Sequence, residues 1–412
     1  MSKEKLSFDG KILNTPYGKK DAYGALNMPV YQNAAFEFET AEEMEAAFMG
    51  FSANHTYSRI TNPTVQYFED RIKNITGALS VTALNSGMAA ITNTIITLAQ
   101  SGSNIVTSRH LFGNTYSFFT STLAFFGVET RFCDLTNPEE VEKSIDENTC
   151  CVFLEIITNP QMEVADLKAI SIITSQKAVP LVADTTIVPF CAFKAKDFGV
   201  NIEIVSSTKY ISGGATGLGG LIIDYGNSDW KTSKKLAETA KSFGAAAFTV
   251  KLRKEIHRNM GAYMTPQVAY MQTIGLETLT LRYEKSSTTC LSLVQKIESL
   301  QEIKSVNYNG LKSNRFYQIS NEQFGQHPGS MFTFDLESRE ACFRFLNKLK
   351  LIRRATNLFD NKTLAIHPAS TIFGTFTSEI RNEMNVSDNT IRISVGLEKM
   401  EDLYADFVQA LI

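Results

Sequence analysis

The sequence predicts an α/β domain built on a parallel or mixed sheet, followed by a smaller α+β region. Three observations carry this expectation. Short apolar runs alternate with amphipathic segments from residue 79 to residue 224, and such alternation gives a sheet covered on both faces. After about residue 226 the rhythm breaks into a long helical stretch and then scattered strands. Finally, 412 residues suffice for about two or three domains of roughly 150 residues, so a large core needs no disulfide or metal staples.

The elements follow in order. The first 60 or so residues are mixed, with turn signals at Thr15-Pro16, Tyr17-Gly18 and Met28-Pro29. They read as an extended arm and a short helix over 41–49. A strand is expected over 79–84, then a helix over 88–100 in which Met88, Ile91, Ile95 and Leu98 share one face. Ser101-Gly102 stops that helix and a strand resumes over 104–107. Tyr116, Phe119, Leu123 and Phe126 mark a further helix. Strands over 130–133 and 150–155, a helix over 167–176, and strands over 180–183, 202–206 and 221–224 complete the series. Beyond it lie a helical region over 266–300 with an interruption at Gly275, strands over 305–307, 331–334 and 391–395, and a helix over 400–411. The division expected is an arm over 1–60, the main α/β domain over 61–250 and the α+β domain over 251–412.

Composition narrows the function classes. The hydrophobic fraction is 43 %, the charged fraction 20 % and the net charge -3, without blocks of like charge. Bulk electrostatics therefore gives no reason to expect a nucleic-acid or membrane partner. Six cysteines lack C-x-x-C spacing and read as buried free thiols. The five histidines are scattered singly, so no metal site is expected. Met1-Ser2-Lys3-Glu4-Lys5 leads into no apolar segment of a secretory signal, and no run reaches the roughly 18 apolar residues of a spanning helix. A cytoplasmic location is expected.

In an open α/β sheet, ligands gather at the carboxyl ends of the strands. Three such ends carry reactive groups. Asn85-Ser86-Gly87-Met88 joins a strand to a helix, where Gly87 allows close approach and free N–H groups suit a phosphate; taken alone, an ordinary capped helix explains it as well. Asp184 follows a buried strand and either caps the next element or faces a protonated ring nitrogen. Lys209, in Ser206-Ser207-Thr208-Lys209-Tyr210, closes another apolar strand, which draws its ammonium out of water. A glycine-rich stretch over 212–220 follows; its lysine precedes the glycines, so it is not a Walker loop. A solvated lysine is the alternative for that segment by itself. Together, a phosphate cradle, an anion for a ring nitrogen and a strand-end lysine are the parts that hold pyridoxal phosphate.

The motifs extend this reading. Tyr57-Ser58-Arg59 with Thr61-Asn62-Pro63-Thr64, Ser86-Gly87-Met88, Asp184, Ser206-Ser207-Thr208-Lys209-Tyr210, His367-Pro368-Ala369-Ser370 and Arg392-Ile393-Ser394-Val395-Gly396-Leu397-Glu398 resemble the Cys/Met-metabolism family of pyridoxal-phosphate enzymes, from about Pro29 to the C-terminus. The resemblance implies an aspartate aminotransferase-like fold (fold type I) with a mixed seven-stranded sheet. It implies Lys209 as the Schiff-base lysine, Asp184 at the ring nitrogen and Asn159 near the cofactor's O3′. Ser86, Gly87, Met88, Ser206 and Thr208 are implied at the phosphate, Phe112 on the ring and Arg392 at the substrate carboxylate, with Asn357 beside the substrate. Tyr57 and Arg59 are implied to serve a neighbouring subunit's site, in a homotetramer assembled as a dimer of dimers.

Departures from the family pattern bear on the reaction. Phe112 stands where many members, the lyases among them, have tyrosine; stacking survives but the phenol is lost. Asn114 replaces the cysteine of methionine gamma-lyases, and Phe112 and Thr356-Asn357-Leu358 look like homoserine-ester sulfhydrylases. Phe359 replaces a usual glycine and Ile372 a frequent histidine, so an altered substrate rim over an intact cofactor floor is expected. The reaction implied is γ-replacement on an O-acylated homoserine by sulfide or a thiol, of the O-acetylhomoserine sulfhydrylase type. Elimination by a lyase is the alternative, and a catalytically silent binding protein is the rival from another class. A nicotinamide dehydrogenase lacks support, because no G-x-G-x-x-G follows the first strand.

Overall fold

The computed structural model describes residues 6–16 and 21–412; the Met1-to-Lys5 start and the Tyr17-Gly18 turn lie outside the described residues. Seven strands form the larger sheet: β1 (Ser80–Leu84), β2 (Asn104–Thr107), β3 (Glu129–Phe132), β4 (Thr149–Glu155), β5 (Leu181–Asp184), β6 (Ile202–Val205) and β7 (Gly220–Asp224), in the order β1-β7-β6-β5-β4-β2-β3. Neighbours from β6 to β3 are parallel, while β7 is antiparallel to both β6 and β1. Two reversals restore direction, so β1 runs parallel to β6. Consequently the segments that follow β1, β2, β4, β5 and β6 all emerge at one edge of the sheet. This is the mixed seven-stranded sheet of fold type I.

These strands are buried on both faces, as their apolar runs require. Val152, Leu154, Ala183, Leu221 and Ile223 face one core, which continues to Phe332 and Phe334; Cys151, Phe153, Val182, Ile204 and Ile222 face the other. The second sheet contains β8 (Ser305–Asn307), β9 (Met331–Asp335), β10 (Arg353–Arg354), β11 (Leu364–Ile366) and β12 (Thr390–Ser394), in the order β10-β11-β12-β9-β8. All six cysteines are free. Among the described residues no helix is long and apolar enough to cross a membrane, and no cluster of metal-ligating side chains occurs.

Some elements differ from expectation for physical reasons. The long helical region breaks at Thr278, between helices Pro266–Glu277 and Leu279–Ile297, and not at Gly275. Gly275 lies inside the first helix because a Cβ there would run into the Ile211 carbonyl; its small size serves packing, not a break. The apolar series from Tyr116 to Phe126 is a one-turn helix, a π turn and a 3₁₀ turn, stopped by Gly127 in the left-handed region. Its drift from the α period leaves Phe126 exposed. Helix Pro63–Thr76, with Asn62 capping the Thr64 N–H and Gly77 closing it, and strands β10 and β11 were not expected.

Candidate active site

The converging strand ends surround a cavity of about 680 Å³. It is lined by Ser86, Gly87, Met88, Phe112, Asn159, Asp184, Ser206, Thr208, Lys209, Asn357 and Arg392. Every predicted site residue except Tyr57 and Arg59 is thus gathered in one place.

The floor is made by packing two segments without slack. Ser86 caps helix Gly87–Leu98, its hydroxyl accepting from the Ala89 N–H at 3.0 Å. The ordinary cap is therefore real, and the first N–H groups of the helix still lack intrahelical partners. A Cβ on Gly87 would lie 2.7 Å from the Ser206 Cβ, and one on Gly220 would run into the Ser86 carbonyl. Only glycines let the helix start, the segment after β6 and the head of β7 meet here. Thr208 fastens the same junction: its Oγ1 accepts from the Gly219 N–H at 2.9 Å.

Lys209 Nζ donates to Asn357 Oδ1 at 2.7 Å. Burial pulls its pKa down, the Arg392 charge adds to this, and Asp184 and Asp360 oppose it, leaving it at about 8. Asp184 accepts from the Thr186 N–H at 3.0 Å, so it caps a turn as well as lining the cavity. Burial raises its pKa, against hydrogen bonds from Thr186 and the charge of Lys209.

Arg392, on β12 and 2 % exposed, donates to Asn159 Oδ1 at 3.1 Å and to the Thr356 and Asn357 carbonyls at 3.3 Å each. Its Nε has no partner, and its partners are all neutral. Burial lowers its pKa to about 10. A buried guanidinium with no carboxylate among its hydrogen-bond partners is costly until an anion meets it.

Tyr57 and Arg59 lie elsewhere. The Arg59 guanidinium sits 5.5 Å from the Tyr57 ring centroid and donates to the Arg258 carbonyl at 2.5 Å, beside a separate cavity. Phe359 does not stand on the rim. It is 2 % exposed and stacks on Tyr210 at 4.2 Å, with φ of 56°. That left-handed backbone explains why glycine suits the position, and the substitution is absorbed beneath the site. Ile372 does line the cavity. Replacing Phe359 by glycine relieves about 1–3 kcal/mol of backbone strain but forfeits about 3–5 kcal/mol of buried ring packing. We expect Phe359→Gly to be destabilised by about 2 kcal/mol, read as a lower denaturant midpoint.

Sequence reasoning missed Glu155, Thr186 and Asp360, which also line the cavity. Glu155 ends an apolar run as Asp184 does, and the same signal, a carboxylate closing a buried strand, would have found it. Arg353 and Lys362 are further rim residues.

The cavity suits pyridoxal phosphate. It offers an amine that loses its proton near neutral pH, a strand-end carboxylate, a glycine-lined helix start and apolar walls from Met88, Ile91, Phe112, Ile157 and Ile187. The comparisons agree with this chemistry. A solved Campylobacter jejuni structure, described as an O-acetylhomoserine (thiol)-lyase carrying N′-pyridoxyl-lysine-5′-monophosphate, superposes with a TM-score of 0.95 at 31 % identity, covering 98 % of this chain and 100 % of that one. The O-acetylhomoserine sulfhydrylase of the Wolinella succinogenes methionine biosynthetic pathway is 45 % identical, with a TM-score of 0.78 over 86 % of this chain and 99 % of that one. The L-methionine gamma-lyase of Fusobacterium nucleatum is 34 % identical over 95 % of each chain. The model of the Cys/Met metabolism PLP-dependent enzyme family matches residues 9–412, and the chain belongs to that family.

Proposed function

We propose that this enzyme carries out γ-replacement on an O-acylated homoserine, of the O-acetylhomoserine type, with sulfide or a thiol as nucleophile, giving homocysteine or a related thioether. The observation that carries the reading is Arg392. It is a buried cation without an anionic partner, opening on the same cavity as Lys209 and Asp184, and an amino-acid carboxylate would complete it. Similarity to two solved sulfhydrylase-type enzymes supports the acetyl ester.

The site residues then act as follows. Ser86, Gly87, Met88, Ser206 and Thr208 would hold the cofactor phosphate, and Asp184, Phe112 and Asn159 would hold its ring, Asp184 as the anion that keeps the ring nitrogen protonated. Pyridoxal phosphate, when bound, supplies an electron sink for the charge left at the substrate's α-carbon. Arg392 grips the substrate carboxylate with a planar fork of donors, and Asn357 orients both Arg392, through its carbonyl, and Lys209, through its side chain. Lys209, with its pKa near neutrality, takes the proton from Cα as a base and returns it as an acid. It then takes the Cβ proton, whose departure breaks the Cγ–O bond, expels the γ-acyloxy group as a carboxylate and leaves Cγ open to the sulfur nucleophile. The apolar walls, Ile157 and Ile372 among them, keep water from the reacting centre.

Tyr57 and Arg59 serve a neighbouring copy's site in a cytoplasmic homotetramer; their place outside this chain's cavity supports that reading. The division into an arm over 1–60, a cofactor domain over 61–250 and a C-terminal domain over 251–412 goes with it.

Elimination is the second reading, favoured by the similarity to a methionine gamma-lyase. Product analysis separates the two. We expect homocysteine from O-acetylhomoserine and sulfide as the fastest reaction; 2-oxobutyrate from methionine as the fastest would overturn the replacement reading.

A further inference from the structure

Glu155 is a cavity carboxylate that the chemistry above does not use. It closes β4 directly opposite Asp184 of β5 in the parallel register, is 9 % exposed and lines the cavity. Its Oε1 accepts from the Phe112 N–H at 2.6 Å, and the nearby Asn159 backbone N–H favours the ionised carboxyl. This side chain therefore ties the segment after β2, which carries Phe112, to the end of β4, the strand that leads into Asn159.

The charged group that bears on Glu155 is Asp184, from the adjoining strand; Lys209 and Arg392 stand elsewhere around the cavity. Glu203, on β6 in register with Ala183, projects from the opposite face of the sheet and accepts from the Thr185 hydroxyl at 2.5 Å and from the Tyr225 hydroxyl. Two carboxyls, Glu155 and Asp184, thus close adjacent strands on the same face of the sheet, where adjacent charges in a dry site repel. Burial, then the Asp184 charge, pushes Glu155 up to about 8, and burial pushes Glu203 up to about 7.

We propose that Glu155 is a positioning residue held as a neutral acid, bridging the Phe112 segment and the strand that leads into Asn159 while leaving the negative charge of these strand ends to Asp184. The proposal rests on the cofactor roles given above to Phe112, Asn159 and Asp184. Ionised, Glu155 would place a second negative charge beside Asp184; neutral, it keeps the hydrogen bond it accepts from Phe112 and adds no charge.

Glu155→Gln copies the neutral acid, and Glu155→Ala removes the bridge. Two measurements are needed: affinity for pyridoxal phosphate by equilibrium titration at pH 7, and melting of the holoenzyme and cofactor-free protein from pH 5 to pH 8.5. The glutamine variant should bind cofactor within about threefold of wild type, and the alanine variant at least about tenfold more weakly. A carboxyl with a raised folded-state pKa stabilises least at high pH, because the unfolded chain ionises above the ordinary glutamate range while the folded chain does not. Melting of Glu155→Gln relative to wild type should therefore rise between pH 5 and pH 8, by about 2 °C or more, and level off above. A melting difference that does not change with pH would overturn the neutral-acid assignment. A glutamine variant that binds as weakly as alanine, or an alanine variant that binds as wild type, would overturn the bridging role. Wild-type protein that takes up no cofactor would instead sink the reading of the site, and the cofactor-free melting curves would still decide the ionisation state of Glu155.

Discussion

Lys209→Ala is expected to lower turnover by at least about 10³-fold, since positioned proton transfer alone contributes about 10²–10⁴-fold and the covalent hold on the cofactor goes with it. The geometry says why no neighbour substitutes. Lys209 is the cavity-lining amine at the end of β6, and Asn357 fixes its Nζ at 2.7 Å. Lys362, also on the rim, is tied to Asp360 at 3.3 Å. Arg392 stays protonated with a pKa of about 10 and is a poor base at neutral pH. The second readout is borohydride treatment. Wild type should retain cofactor covalently after denaturation, and the variant should release it. Covalent retention by Lys209→Ala at wild-type level would show that another residue carries the attachment.

Arg392→Leu should lower kcat/KM for the amino-acid substrate by about 10²–10³-fold. Losing one member of a buried charged pair costs about 3–5 kcal/mol; at about 1.4 kcal/mol per power of ten, the lower part of that range gives two to three powers. Because the leucine also abandons Asn159, Thr356 and Asn357, Arg392→Lys is the needed companion. Lysine keeps the charge but cannot present a planar fork, so a smaller loss, mostly in KM, is expected. A Lys variant with unchanged KM would place the carboxylate elsewhere. Cofactor absorbance should persist in both variants, which separates substrate recognition from collapse of the floor.

What could be read from the sequence depended on how far apart the cooperating residues lie. Lys209 and Asp184 each close a continuous apolar run, so strand and reactive group appear in one glance. The approach of Gly87 to Ser206 and Gly220 is a tertiary fact; it needs the reversal of β7 that brings the end of β1 beside that of β6. The bond from Arg392 to Asn159 joins residues 233 positions apart, and no local pattern announces it. Phe359 shows a different limit. Its departure from a usual glycine was visible, but whether the change falls on a side chain facing the ligand or on a backbone angle below it is decided by φ. Glu155 was overlooked because one strand end looked settled by the run itself.

The two sheets contribute unequally to the cavity. The floor comes from the large sheet, where glycines leave no room for a single added carbon. Much of the rim, including Arg353, Ala355, Thr356, Asn357 and Leu364, belongs to β10, β11 and the chain between them, in a small sheet whose edge strand is two residues long. Selection can therefore rewrite which molecules enter while the chemistry beneath stays constant. A lineage of such enzymes would diversify by drift along that short edge, with Lys209 and its glycine-packed neighbours inherited as a block.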